Sequence, residues 1–514
     1  LAKKKRFCYK FSMKKIFFFL VVYLAAVYFI MPAGSASSDN DWEYQLKKYA
    51  RIYSLIQEYY PGEFDVKKLF FTSIEGFLRG LDPHSYFLDP VSLRSLNEDQ
   101  QGNYYGIGTR VTKYEDRLTV VDCLAGAPAH KLGITVGDII IEIDGRDTAD
   151  MSLDEAMRNL RGSKNTYVNI KIKRVDVEKP ISARIKRAEI PLDSITYAVI
   201  HPEYPGVGCI GVRTFGSTTA EELRKNIDRL KKKENMKALI LDLRWNAGGS
   251  LYAAVETADF FLEKGKTIVS IKGKIIDREF TAKKDNQYEE LPAAVLINRV
   301  SASASEIAAA ALQDHKRALL IGSRSWGKGL VQTVYKLSLN ASTALTTAKY
   351  YTPGNRCLQR DFTELDDYFS ILSKKDYDHN TDIKGGVTPD IFVEEKETAD
   401  IIVDLISKGI FFRFSRRLIE ADHDITKDFK TDDRVIKRFK DFLKENKFEY
   451  DEEHFTRHLA DIKNMIEREV VTDKFSSSEG IKVFLRDDPV SGKAAAILTE
   501  ALKKDTKNRW ELLR

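Results

Sequence analysis

Short apolar strands alternate with helices in the middle of the chain, and this alternation constrains the fold more than any other feature. The pattern predicts strands at Gly208–Val212, Ala238–Leu243, Ala293–Ile297 and Leu319–Gly322, with helices at Thr219–Lys232, Leu251–Leu262 and Ser305–Leu312 between them. Such alternation is typical of helices layered on a sheet. We therefore expect an α/β core, which we place at residues 179–395 of the 514-residue chain.

Three other regions differ from this core in their residue pattern. Residues 37–100 are predicted to be helical, because apolar residues recur at three-to-four spacing before Pro61 and again over Val66–Leu78. Residues 101–178 contain short β-branched runs punctuated by glycine, which predict a compact strand-rich module. Residues 396–514 are predicted to form a charged helical extension, with helices at Arg434–Asn446 and His454–Arg468. We therefore expect the chain to fold into a multidomain protein of the α/β (α+β) class.

The amino terminus has the pattern of an export signal. Lysines follow Met13, the better of the two candidate starts, and precede the apolar run Ile16–Ile30, and small residues lead to Ala36. This pattern predicts a signal peptide over residues 1–36, with cleavage after Ala36. We expect an exported protein, periplasmic or otherwise extracytoplasmic. The alternative is an uncleaved signal that anchors the protein to a membrane.

Composition argues against several classes of function. The net charge of +6 is small, and basic and acidic residues are mixed along the chain, so nucleic-acid binding is not expected. Cys123, Cys209 and Cys357 are scattered and form neither a disulfide framework nor a Cys-x-x-Cys pair. The histidines form no recognisable catalytic or metal site; His454 and His458, four apart, lack a further ligand. We therefore expect no metal and no cofactor.

Serines are concentrated where a strand is predicted to turn into a helix, at Ser301, Ser303 and Ser305. A side chain at such a corner lies at a helix amino terminus, where free N–H groups stabilise developing negative charge. Ser303 is thus a candidate nucleophile. Ordinary capping of the helix is the alternative, and this segment taken alone favours capping over catalysis.

A lysine between two glycines, Lys328, follows in a predicted strand. Gln332 is four residues away and would lie on the same face of that strand. Burial lowers the pKa of a lysine and so provides a neutral amine that can act as a general base. Lys328 is therefore the candidate base and Gln332 its orienting partner. A surface lysine in a turn is the alternative.

Gly248 and Gly249 end another strand and allow the backbone to approach closely. Their N–H groups, together with that of Ala304, are candidates for an oxyanion hole. A simple glycine turn is the alternative.

Together these segments resemble the carboxyl-terminal processing (tail-specific) proteases, Ser/Lys serine peptidases with an internal PDZ domain. The resemblance rests on an ordered set of motifs: Leu81-Asp82-Pro83-His84-Ser85, Tyr105-Gly106-Ile107-Gly108, Asp242-Leu243-Arg244 with Asn246 and Gly248-Gly249, Ser301–Glu306, Gly327-Lys328-Gly329 with Gln332, Tyr350–Pro353 and Gly386–Asp390. It implies a crotonase/Clp-protease-like core with Ser303 as nucleophile, Lys328 as base and Gln332 as its partner. Trp245 and Ala247 depart from the family pattern.

The resemblance also implies how substrates are recognised. Residues 101–178 would be the PDZ domain, whose carboxylate-binding loop falls on Tyr105, Gly106, Ile107 and Gly108. Such domains bind a chain end by strand addition, so the expected partners are proteins with unstructured, apolar carboxyl termini. Arg161 matches a regulatory arginine of the family. Homo-oligomerisation through the helical termini is a further expectation.

The expected function is therefore a serine endopeptidase that works through an acyl-enzyme. Two alternatives remain from the residues. One is a non-catalytic PDZ adaptor that only binds protein termini. The other is a hydrolase of small esters or amides, to which a terminus-binding module would contribute nothing.

Overall fold

The computed structural model describes residues 42–114, 116–174, 177–283, 288, 290–337, 341–361 and 384–504. The expected signal segment and its cleavage site lie outside these residues. Within the described ranges, no helix combines the length and the apolar character that a membrane span requires. The chain divides into two compact units, Leu1–Thr72 and Ser73–Arg514.

Helix α1 (Trp42–Tyr59) forms most of the described part of the first unit. It ends just before Pro61, as expected, because proline cannot continue a helix. Helix α2 (Val66–Arg79) begins in this unit and ends in the second. The Phe70 ring meets Tyr49 and Tyr53 edge-on, with centroid distances of 6.3 and 5.3 Å.

The second unit begins with β1 (Tyr86–Leu88) and α3 (Pro90–Gln101), followed by a strand-rich module. The module's elements are β2 (Asn103–Gly106), β3 (Thr109–Tyr114), β4 (Arg117–Cys123), α4 (Pro128–Lys131), β5 (Ile139–Ile143), β6 (Arg146–Asp147), α5 (Leu153–Leu160), β7 (Tyr167–Lys173), β8 (Ile181–Lys186) and β9 (Ala188–Pro191). Its main sheet has the order β3-β4-β5-β7-β8, with β6 paired to β5, while β2 pairs with β9. Its core is separate from that of the α/β layer.

The α/β core is built on a six-stranded sheet with the order β10-β11-β12-β15-β16-β19. Its strands are β10 (Ile195–Ile200), β11 (Val207–Val212), β12 (Ala238–Asp242), β15 (Ala293–Ile297), β16 (Leu319–Gly322) and β19 (Ile391–Phe392). Only β10 runs antiparallel to its neighbour among these pairs. The connecting helices are α6 (Thr219–Glu234), α7 (Leu251–Asp259) and α8 (Ala304–Asp314).

Both faces of this sheet are buried, which explains why its strands read as continuous apolar runs. Leu239 and Leu241 of β12 point into a cluster with α6, α7 and α8. Ile240, between them, points to the opposite face, where it meets Leu498 of the last helix. Successive side chains of a strand alternate in this way, so two layers of helices enclose the sheet.

A second sheet lies beside the α/β layer and has the order β1-β18-β13-β14, with β17 paired to β18. Its remaining strands are β13 (Thr267–Gly273), β14 (Asp277–Thr281), β17 (Leu330–Lys336) and β18 (Ser342–Tyr351). Strand β1, which follows the Leu81–Ser85 loop, pairs antiparallel with β18. The sheet thereby joins the amino-terminal loop to the segment that carries Lys328.

The carboxyl-terminal region is helical, as expected. It contains α9 (Asp400–Ser407), α10 (Ile410–Ala421), α11 (Asp433–Glu445), α12 (Glu452–Arg457), α13 (Leu459–Lys474), α14 (Ser477–Asp487) and α15 (Pro489–Lys503). The single helix expected over His454–Arg468 is wrong, because the chain breaks at His458, which ends α12 and begins α13. The first five helices share an aromatic-rich core, whereas α14 and α15 pack on the α/β sheet.

Candidate active site

The three clustered serines have different environments. Ser301 Oγ donates a hydrogen bond to the Leu243 carbonyl at 2.8 Å, and Ser305 Oγ donates to the Asn246 carbonyl at 2.8 Å. Both of these serines are fully buried. Ser303, between them, is only partly buried. The hydrogen bonds of Ser301 and Ser305 therefore stabilise the strand-to-helix corner, and Ser303 is the serine of the three whose side chain is partly exposed.

Ser303 lies directly before α8, at the helix amino terminus. Its φ of +55° and ψ of −114° are unusual for a residue with a side chain. A conformation of this kind costs on the order of 1–3 kcal/mol and persists only where the surroundings enforce it. The capping position and the candidate nucleophile position thus coincide, so the two interpretations of Ser303 are not exclusive.

Glu306, in the first turn of α8, connects Ser303 to Lys328. Its Oε2 accepts the N–H groups of Ser303 at 2.7 Å and of Lys328 at 2.9 Å. Its Oε1 accepts the Ser325 hydroxyl at 2.5 Å and the Gly327 N–H at 2.7 Å. Burial raises the pKa of Glu306 to about 7, against the opposing effect of these four hydrogen bonds. The backbones of both candidate catalytic residues therefore converge on one carboxylate oxygen.

Lys328 lies in an extended loop two residues before β17, and not in a strand as expected. Gly327 has a φ of +89°, and the Gly329 N–H donates to Gln359 Oε1 at 2.9 Å, so contacts with a distant segment shape this loop. Burial lowers the pKa of the Lys328 amine below its ordinary value, while the carboxylates of Glu306 and Asp82 oppose that shift. The amine is thus displaced toward its neutral form.

Gln332 lies in β17, directly after a break in the strand register. Val331 pairs with Ala348, but Gln332 pairs with Thr346, so β18 contains one extra residue at this point. A bulge of this kind redirects side chains. The expectation that Lys328 and Gln332 share a face of one strand fails because Lys328 lies outside β17, whereas the extra residue itself belongs to β18. Gln332 Nε2 donates to Thr346 Oγ1 at 3.4 Å.

The glycine loop lies against the serine corner. A Cβ added to Gly248, which has a φ of +105°, would lie 2.8 Å from Ser303 Cβ and 2.9 Å from the Ala304 nitrogen. The Gly248 N–H, however, donates to Asn246 Oδ1 at 2.8 Å. In this conformation the Gly248 N–H is therefore hydrogen-bonded to Asn246 and does not point to an oxyanion site. Gly249 and Ala304 remain the candidate donors.

Asn246 fixes the conformation of the glycine loop, a role that the sequence did not indicate beyond the place of Asn246 in the motif. It is fully buried, and its side chain also donates to the Val212 carbonyl at 2.9 Å. Its backbone carbonyl accepts the Ala302 N–H at 3.1 Å, which ties the glycine loop to the serine corner. Trp245, where this chain departs from the family pattern, is 67% exposed and has a φ of +62°.

The expected carboxylate-binding segment, Tyr105–Gly108, and the candidate regulatory Arg161 both lie in the strand-rich module. The carbonyls of Ile107 and Gly108 accept backbone hydrogen bonds from residues 129 and 124, and a Cβ at Gly108 would lie 2.3 Å from Ala127 Cβ. Arg161 follows α5; its guanidinium lies 4.3 Å from the centre of the Tyr104 ring and 3.6 Å from Glu98 Oε2. In this conformation, the contacts found for Arg161 connect the module to α3.

A histidine near Lys328 was missed from the sequence. His84 lies in the loop before β1, and burial followed by the charge of Lys328 lowers its pKa to about 4. His84 is therefore neutral near pH 7. The signal was present in the Leu81–Ser85 motif, but nothing in the local sequence places that loop beside Lys328.

Among the described residues, no cluster of three or more His, Cys, Asp or Glu side chains is arranged to hold a metal ion. His454 and His458 have ring centres 4.9 Å apart. They make a ring contact across the junction of α12 and α13.

Three family models match the chain. A model of peptidase family S41 matches residues 206–367, a PDZ-domain model matches residues 95–173, and a model of the carboxyl-terminal helical domain of probable PDZ-proteases matches residues 401–455. The strand-rich module is thus a PDZ domain. The S41 match contains both Ser303 and Lys328.

Curated relatives agree with these matches. A carboxy-terminal-processing protease of Bartonella bacilliformis is 35% identical over 389 residues, covering 74% of this chain and 83% of the relative. A probable CtpA-like serine protease of Staphylococcus aureus is 32% identical, covering 65% and 66%. Among solved structures, a photosystem II D1 C-terminal processing protease is 27% identical over 66% of this chain and 86% of that chain, with a TM-score of 0.37.

The chain belongs to the carboxy-terminal-processing proteases of peptidase family S41. It is a serine peptidase with a PDZ domain and a helical carboxyl-terminal domain. The family, the fold class and the enzyme class expected from the sequence are thereby confirmed.

Proposed function

We propose that this protein is an exported endopeptidase that cleaves proteins near unstructured, apolar carboxyl-terminal tails, with Ser303 as nucleophile and Lys328 as general base. The observation that carries this proposal is the shared contact with Glu306 Oε2. One carboxylate holds the backbone of the serine and that of the lysine. Burial lowers the lysine pKa, as a general base requires.

The reaction proceeds in two acyl transfers. Ser303 Oγ attacks the scissile carbonyl carbon, and its proton passes to Lys328 Nζ. The same proton then goes to the leaving amine as the peptide bond breaks, which leaves an ester on Ser303. Lys328 next removes a proton from water, which attacks the ester carbonyl; the proton then passes from Lys328 to Ser303 Oγ as the ester bond breaks and the acid is released. The N–H groups of Gly249 and Ala304 are the candidates to stabilise the oxyanion in both steps.

Recognition of the tail is assigned to the PDZ domain. Strand β3 is the end strand of its main sheet, and α5 packs beside it, so β3 has an edge at which an extended peptide can add. Of the four residues expected to form the carboxylate-binding loop, Tyr105 and Gly106 end β2, and Ile107 and Gly108 connect it to β3. A substrate carboxylate at the loop would fix the chain end, while the tail pairs with β3. Export rests on the pattern of residues 1–36 alone.

The proposal is tested with a denatured protein that ends in an apolar tail and with the same substrate carrying an amidated carboxyl terminus. Ser303→Ala and Lys328→Arg are expected to abolish cleavage, since arginine stays protonated and cannot act as base. Lys349→Arg, at an exposed lysine of β18, is the matched control and should cleave normally. Amidation should raise KM. Turnover by Ser303→Ala would refute the mechanism, and equal KM for both substrates would refute recognition of the terminus.

A further inference from the structure

We propose that Asp82, Ser85 and Thr346 form a hydrogen-bonded support that positions Gln332 beside Lys328. The inference rests on the proposed function, because it assigns Gln332 the task of orienting the base. It adds positioning residues from the loop before β1, which lies more than 200 positions away from the serine corner in the sequence.

The Leu81–Ser85 loop is fixed by the carboxylate of Asp82. Asp82 Oδ1 accepts the N–H groups of His84 at 2.7 Å and of Ser85 at 2.8 Å. Asp82 Oδ2 accepts the Ser85 hydroxyl at 2.7 Å. Ser85 is only 2% exposed, so this hydroxyl is shielded from water. A buried hydroxyl that donates its proton to a carboxylate has a defined orientation, with its lone pairs free to accept.

The Ser85 hydroxyl oxygen in turn accepts the N–H of Thr346 at 3.1 Å. This contact lies beside the pairing of β1 with β18, where Tyr86 faces Ala344. The Thr346 backbone is therefore held from one side by the Ser85 side chain. Thr346 Oγ1 lies 3.4 Å from Ser85 Oγ, and it accepts a hydrogen bond from Gln332 Nε2 of β17, also at 3.4 Å.

The strand bulge makes Thr346 the partner of Gln332. Without the extra residue in β18, Gln332 would face Thr347, whose hydroxyl instead lies 2.8 Å from that of Thr333. The fixed position of Thr346 therefore decides where the Gln332 amide lies. The Gln332 NH₂ group donates a hydrogen bond to Thr346. The amide oxygen of Gln332 is then the atom that can accept a hydrogen bond from the lysine amine.

The same support places charge near the base. The carboxylates of Glu306 and Asp82 both favour the protonated form of Lys328, against burial. His84, held in the same loop, also interacts with Lys328, and Arg360 acts on His84. Loss of the Asp82 charge alone should therefore extend the neutral lysine to lower pH.

Thr346→Val tests the support directly, because valine keeps the shape and removes the acceptor for Gln332. A lost hydrogen bond of this kind corresponds to a decrease of about tenfold in kcat. KM should stay within about twofold. Thr346→Ser, which keeps the hydroxyl, should retain kcat within about twofold. Thr343→Val, on the same strand with its hydroxyl bound to the Tyr86 carbonyl, is the matched control and should leave kcat unchanged.

A double-mutant cycle separates positioning from a general loss of structure. In a Gln332→Ala background, Thr346→Val should have no additional effect on kcat, because the residue through which it acts is gone. Wild-type kcat in Thr346→Val, or an undiminished loss in the Gln332→Ala background, would overturn the proposal. If Thr346→Val does not fold, Ser85→Ala takes its place in the cycle with the same expectation.

The pH profile gives an independent measurement. Asp82→Asn should move the acid limb of the kcat/KM profile to lower pH, because it removes a charge that favours protonated Lys328; a shift to higher pH would count against the assignment. Failure of the support is distinguishable from failure of the mechanism. If only the support is wrong, Ser303→Ala is still inactive; if Ser303→Ala is active, the mechanism itself is wrong.

Discussion

Replacing Glu306 by glutamine removes one acceptor oxygen from a carboxylate that four donors share. If the new NH₂ group takes the place of Oε2, the N–H groups of Ser303 and Lys328 both lose their partner. If it takes the place of Oε1, the Ser325 hydroxyl can rotate and accept from it, and only the Gly327 N–H is left unpaired. An unpaired buried N–H costs about 1–3 kcal/mol, so the second orientation is preferred.

The expected loss of stability is therefore about 1–3 kcal/mol, a large part of a typical total of about 5–15 kcal/mol. We expect kcat to fall as well, because the loop that carries Lys328 loses an anchor at Gly327. The measurement is the urea midpoint of Glu306→Gln beside that of Glu256→Gln, an exposed carboxylate on α7. The control should shift the free energy of unfolding by less than about 0.5 kcal/mol. Equal midpoints and equal kcat for both variants would refute the role of Glu306.

Two further predictions concern other parts of the molecule. Because the folded-state pKa of His84 is about 4 and its unfolded value 6.5, the neutral ring favours the folded state above pH 6.5, and this contribution is lost as pH falls toward 4. His84→Gln should therefore unfold less readily in acid than the wild type and remain active; an inactive, folded variant would show that catalysis requires the His84 side chain. Gly409→Ala should destabilise, since φ is +63° and a Cβ would lie 2.6 Å from the Tyr114 ring. Gly492→Ala, in α15 with open space around it, should be neutral or stabilise by up to about 1 kcal/mol in thermal unfolding.

The sequence was most informative where local pattern and tertiary burial agree. Strand β15 was predicted at its observed bounds, since five consecutive apolar residues are what a strand buried on both faces requires. Ser303 could be named as a candidate because the serines lie where a strand turns into a helix, and the resemblance to the family singled out the middle one. The segment around Lys328 could not be predicted, because the shape of its loop depends on Gln359, thirty residues further on.

Contacts between distant segments account for the other differences. The Gly248 N–H is bound by the Asn246 side chain, and a glycine motif alone does not show how a neighbouring amide is oriented. His84 interacts with Lys328 because β1 pairs with β18, a pairing between residues more than 250 positions apart. A periodic pattern predicts which face of a strand is buried, but not which remote loop covers its end.

The carboxyl-terminal helices also contact the α/β core close to the glycine loop. Arg244, at the end of β12 and two residues before Asn246, is buried and pairs with Asp242 and Asp488, each at 2.7 Å. Asp488 also caps α15 through its side chain. Removing Asp488 would take two hydrogen bonds from this guanidinium, at 3.0 and 2.7 Å, while its pair with Asp242 remains. The Arg244 guanidinium thus links the docking of α15 to the position of the glycine loop. Truncation of the chain before Asp488 should therefore make the glycine loop that faces Ser303 less well fixed.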